Sequence, residues 1–185
     1  MHTKRRKVIA SLGITISLAG CTGDVGQNDD GNNEDEYDVD SETINEYESG
    51  LQKIQNSRQI WENASENFEN REFNQASQQY EQANTQFKQA EDHFISAASM
   101  VDRQKAAEIA EQAAAFCEEM GQSARKYSDA AELYESENPA QADELLQEAV
   151  AHNDEADSIG EPLSITSFRG VANGGETFEQ TGEGD

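Results

Sequence analysis

Two histidines, one internal cysteine and a dense set of carboxylates are the side chains past the N-terminal segment that could do chemistry. His93 and His152 could ligate a metal between helices. Such a site takes glutamates together with Glu-x-x-His spacings on facing helices. Ala90 stands three residues before His93 and Ala149 three before His152, so the spacing is missing and both histidines are expected to be structural. Neighbouring acids such as Glu118-Glu119 fall on helix faces expected to be wet. Without a pocket to seat a substrate, general acid–base work by such a pair has no geometry to act through. No Gly-x-Ser-x-Gly elbow occurs, and no glycine loop joins a strand to a helix. The residues therefore point to a chain that is not an enzyme, with no cofactor and no metal. Cys117 falls on an apolar stripe and reads as a buried small hydrophobe.

Cys21 is different. It ends the run Leu18-Ala19-Gly20-Cys21, which closes thirteen uncharged residues (8–20) behind Lys4-Arg5-Arg6-Lys7. A membrane-spanning helix needs roughly 20 apolar residues, so this segment is too short to span. A basic stretch, a short apolar stretch and small residues at a cut site are the marks of a secretory signal. The tetrapeptide resembles a lipobox, where the signal is removed and the new N-terminal cysteine is lipidated. Arg5-Arg6 followed by Lys7-Val8-Ile9 is similar to a twin-arginine signal, with Lys4 where that motif usually carries serine or threonine. An ordinary general-secretory lipoprotein signal and an uncleaved N-terminal anchor are the alternative readings. The resemblance implies a two-chain lipid on Cys21, which is enough for a stable anchor. It places the protein at the cell membrane, exposed on the extracellular side. Cys117 alone would then remain in the mature chain, and one cysteine cannot form an intramolecular disulfide.

The formal charge is −25, from 13 basic and 38 acidic residues. Removing the four basic residues of positions 1–20 leaves nine against 38, or −29. Only Lys53, Lys88, Lys105 and Lys126 remain as lysines. Acid excess with scarce lysine, spread along the whole chain, resembles haloarchaeal proteins. In molar salt the Debye length is about 3 Å, so the self-repulsion is largely screened. The same charge argues against nucleic-acid binding, and it sets the body to stand off an anionic surface rather than lie on it.

These side chains must be positioned by helices, because apolar residues recur at alternating steps of three and four. One stripe runs Ile44, Tyr47, Leu51, Ile54, Trp61, Phe68, with Arg58 and Ser65 in the same seam. A second runs Phe73, Ala76, Tyr80, Ala83, Phe87, Ala90, Phe94, Ala97, Val101. A third runs from Ala106 through Cys117, Met120, Ala124 and Tyr127 to Tyr134, and a fourth from Ala142 through Ala149 and His152 to Ile159. A mean spacing near 3.5 is the signal for long helices packed side by side. Asn70-Arg71-Glu72 and Ser136-Glu137-Asn138-Pro139 read as turns, with Asn138 able to cap and Pro139 preset for the first helical position. Between the second and third stripes only the phase changes, which predicts a turn near Asp102-Arg103-Gln104. Gly121 leaves the third stripe in phase, so that helix is expected to continue through it. Residues 22–41 have almost nothing to bury and predict a disordered acidic tether. From Gly160 onward, glycines and Pro162 predict a flexible tail, with one transient strand near Leu163–Phe168.

An offset of 66 maps Trp61 onto Tyr127, Ala64 onto Ala130, Ala76 onto Ala142 and Ala83 onto Ala149, as two copies of a helical hairpin would. The run from Trp61 through Phe73, Ala76, Tyr80 and Ala83 resembles a tetratricopeptide unit, although Ala64-Ser65 stands where that family carries leucine-glycine. The expected fold is therefore all-α, an antiparallel four-helix bundle or two tandem helical hairpins. The expected organisation is a signal peptide at 1–20, a lipidated cysteine and acidic linker at 21–41, a helical domain at 42–159 and a tail at 160–185. Trp61, Phe68, Tyr80, Phe87 and Phe94 form the candidate interaction face, and Asn63-Ala64-Ser65 makes Asn63 a candidate N-glycosylation acceptor. The expected function is a membrane-anchored interaction or scaffolding lipoprotein that contacts the membrane through Cys21 and an unidentified protein partner. The alternative is a small-ligand-binding lipoprotein associated with a transporter.

Overall fold

The computed structural model describes residues 39–175. They are all-α, with five helices: α1 (Ser41–Glu69), α2 (Phe73–Met100), α3 (Gln104–Glu135), α4 (Pro139–Ile159) and α5 (Ile165–Ala172). Among the described residues there is no strand. The signal segment, the lipobox and all of the linker but Val39, Asp40 and Ser41 lie outside the described residues, as do residues 176–185.

Each long helix packs on its neighbour in the chain, α1 on α2, α2 on α3 and α3 on α4, while α1 and α4 do not meet. α1 also reaches α3, so the described residues form an all-α bundle of antiparallel hairpins, as expected. The 66-residue echo is built into its backbone. Arg71 (φ 64°) and Glu137 (φ 56°) both stand in the left-handed region. In each turn the residue after them reaches back five positions: the Glu72 backbone N–H donates to the Asn67 carbonyl, and the Asn138 backbone N–H to the Leu133 carbonyl, each at 2.8 Å. This pairing is the Schellman closure of a helix end, here made with charged residues in place of glycine. Asn138 does not cap α4 through its side chain, contrary to expectation. Its side-chain Nδ2 donates to Gln141 Oε1 instead, at 2.8 Å. The α2–α3 join differs from both, with Val101 and Arg103 extended, so the chain turns where the stripe changes phase.

Alanines set the spacing of the helices. Ala76, Ala83, Ala90 and Ala97 on α2 are fully buried, as are Ala142, Ala149 and Ala156, the whole buried set of α4. Seven-residue steps of a one-carbon side chain let backbones approach closely. α3 runs unbroken through Gly121, which lies against Asn84 and the Phe87 Cβ of α2.

The largest departure from expectation follows Gly160. Residues 165–172 are a helix, not a strand, and Phe168 is fully buried. The folded body therefore extends past residue 159 to Ala172. Ser164 caps α5 by accepting from the Ser167 amide at 3.2 Å. An eight-residue helix is too short to stand alone. What holds it is tertiary: the Phe168 ring stacks on Tyr47 of α1, with centroids 3.8 Å apart and planes within 4°.

Candidate functional site

Of the five aromatic positions expected to face a partner, three are buried in the core. Phe87 and Phe94 are fully buried and Tyr80 is 2% exposed, while Trp61 and Phe68 are half-buried. Trp61 from α1 meets Tyr80 of α2 edge-on at 5.4 Å and Tyr127 of α3 at 5.3 Å. Phe68 meets Tyr134 at 5.6 Å. These rings join three helices at the turn end of the body, and their large apolar area explains why they are covered.

Asn63 is exposed on α1, yet the Ser65 hydroxyl that completes its sequon is hydrogen-bonded to the Tyr80 hydroxyl at 3.0 Å. Glycan addition to the folded chain would have to break that bond.

The two histidines act as matching ties. His93 Nδ1 lies 2.7 Å from Glu46 Oε2, joining α2 to α1, and His152 Nδ1 lies 2.7 Å from Glu119 Oε2, joining α4 to α3. Both pairs are partly exposed, where such contacts contribute on the order of 1 kcal/mol or less. Among the described residues no cluster of three or more His, Cys, Asp or Glu side chains is placed to hold a metal. Cys117 is fully buried, and burial, with a smaller contribution from Glu91, pushes its thiol well above the ordinary range. The nucleophilic thiolate is thereby disfavoured. Glu91 itself is raised by burial and by Glu118 and Asp92. Arg58, the one cation in a seam, keeps its head near water and pairs with Glu161 at 3.1 Å, a tie from α1 to the segment ahead of α5.

One recess of about 330 Å³ opens beside that segment, lined by Lys105, Glu108, Ile109, Gln112 and Ala113 of α3 and by Glu161, Pro162 and Leu163. Its lining mixes apolar and charged side chains.

Two features of this region were not read from the residues. Gly50 exists for Phe94, since a Cβ there would sit 2.8 Å from the ring. Tyr47 carries Phe168 on its face and donates its hydroxyl to the Leu163 carbonyl at 3.1 Å. The legible signal for α5 was the cap Ser164 followed by Phe168, Val171 and Ala172 at helical spacing. Comparison with protein-family models, curated proteins and solved structures returns no match.

Proposed function

We propose that the chain is a lipid-anchored helical interaction module on the extracellular side of the cell membrane, without catalytic activity of its own. The observation that carries the interaction reading is the row of two repeated hairpins, in which α1 and α4 do not meet. Such rows leave the outer helices uncovered on one side and offer long surfaces to partners. The partner surface then lies on the outward sides of α1 and α4, because the aromatic stripe is consumed internally. The anchor rests on Leu18-Ala19-Gly20-Cys21 and the apolar stretch before it. No helix among the described residues is long and apolar enough to cross a membrane, so a lipid on Cys21 would supply the attachment.

Two experiments test the two halves separately. Cys21→Ser should abolish lipid labelling and leave the protein in the medium or as an uncut precursor; unchanged labelling refutes the anchor. Photo-crosslinkers at Gln55 on α1 and Val150 on α4, both exposed, should trap one discrete partner in native membranes. If neither position traps any protein, the interaction reading fails while the anchor stands. The recess at Lys105 and Glu161 favours small-ligand binding as the second reading, for which a native mass spectrum of protein from its own host should carry a stoichiometric ligand.

A further inference from the structure

The segment from Gly160 to Gly174 is attached to the body in an unusual way. Its backbone enters and leaves through glycines in the left-handed region, Gly160 at φ 91° and Gly174 at φ 94°. Glycine adopts that region without steric cost, and at Gly174 the Arg103 guanidinium fills the space a Cβ would take. Between them, α5 touches α1 and α3 but neither α2 nor α4. Side chains of the long helices reach it. Phe168 stacks on Tyr47, Tyr47 holds the Leu163 carbonyl, and Arg58 pairs with Glu161. The Asn173 side-chain carbonyl accepts from the Val39 amide at 3.1 Å. That contact ties the far end of the segment to the residue through which the acidic linker reaches α1.

Phe168, Val171 and Ala172 form the buried side of α5, and they join Tyr47, Ala106 and Ala110 in the main core. A single aromatic followed by small aliphatics three and four residues on is the anchor pattern of a helix laid in a groove. The groove is walled by α1 and α3, which have their own support. α2 packs on both, and at the opposite end Trp61 and Phe68 meet Tyr127 and Tyr134 directly. Losing α5 therefore leaves the walls standing, whereas α5 alone is too short to remain helical.

We propose that α5 is an exchangeable clasp, a self-ligand that leaves as a unit and uncovers a helix-accepting groove between α1 and α3. In the resting chain the groove is blocked by its own C-terminal helix. The inference does not depend on lipidation of Cys21 or on a partner for the outward faces.

The test uses the full chain and a synthetic peptide of residues 160–175. Phe168→Ala removes the anchor and should free α5 while amide protection of α1 to α4 is kept. The wild-type peptide should then bind the Phe168→Ala chain saturably, and bind the wild-type chain roughly tenfold or more weakly because its own α5 holds the groove. A peptide carrying Phe168→Ala should bind neither. Three results overturn the proposal. If Phe168→Ala unfolds α2 and α3 together, α5 is a fixed part of the core. If the variant stays folded and takes no peptide, no groove persists. If both chains bind the peptide equally, the peptide site lies elsewhere. Hydrogen exchange on the wild-type chain gives a variant-free check: residues 165–172 should share one opening free energy below that of α2, and exchange only on global unfolding refutes the clasp.

Discussion

Two mid-helix glycines that look alike in the sequence do opposite work. At Gly50 a Cβ would lie 2.8 Å from two carbons of the Phe94 ring. That ring is fully buried and set edge-on to Tyr47 at 4.9 Å, with Phe168 stacked beyond it. It has nowhere to swing. Gly50→Ala therefore gains about 1 kcal/mol of helix propensity but meets an overpacking cost of about 1–3 kcal/mol. At Gly121 the nearest atoms to a new Cβ are 3.4 and 3.6 Å away, ordinary contact distances, so the propensity gain of about 1 kcal/mol should be nearly intact. Chemical denaturation should place Gly50→Ala below the wild type and Gly121→Ala level with or above it. The same sign for both would show that the Phe94 contact does not decide the matter.

Between helices the question is how far a disturbance travels. α4 is held to α3 by Ala142, Ala149 and Ala156, by the Ser123 hydroxyl donating to the Ala149 carbonyl at 2.8 Å, and by the pairs His152–Glu119 and Lys126–Glu148. None of these reaches α1 or α2. Ala149→Leu puts three extra carbons into a fully buried close approach and should cost about 1–3 kcal/mol or more. In a row of helices that cost falls on α4 alone. Amide exchange should rise across residues 139–159 and stay slow in α2; equal loss in both would mean that the four helices open as one unit.

Across the molecule the dominant force is charge. A formal −25, of which ion pairs such as Arg58–Glu161 and Lys126–Glu148 offset little, leaves many like charges to repel one another. Raising NaCl from 0.1 to 1 M shortens the Debye length from about 10 to about 3 Å, which should raise the thermal midpoint by relieving self-repulsion. A midpoint that stays level or falls over that range would contradict the reading of the acidity as a solvated, salt-adapted surface.

The sequence alone determined the four long helices, both tight turns, the change of phase at residues 101–103 and the doubled hairpin. All of these follow from local periodicity and turn chemistry, which act over a few residues. It also marked Phe87 and Phe94 as large knobs, but could not say whether they met solvent or another helix, since a stripe records that a face is apolar and not what covers it. Tertiary structure alone decided that. It turned Tyr80, Phe87 and Phe94 of the proposed interaction face inward and made a helix of Ile165–Ala172. That last helix is too short to pay its own ordering entropy and too interrupted by glycine to announce itself. Its existence depends on one aromatic stack with a residue 121 positions earlier (Phe168 on Tyr47), a contact between segments that local pattern does not encode.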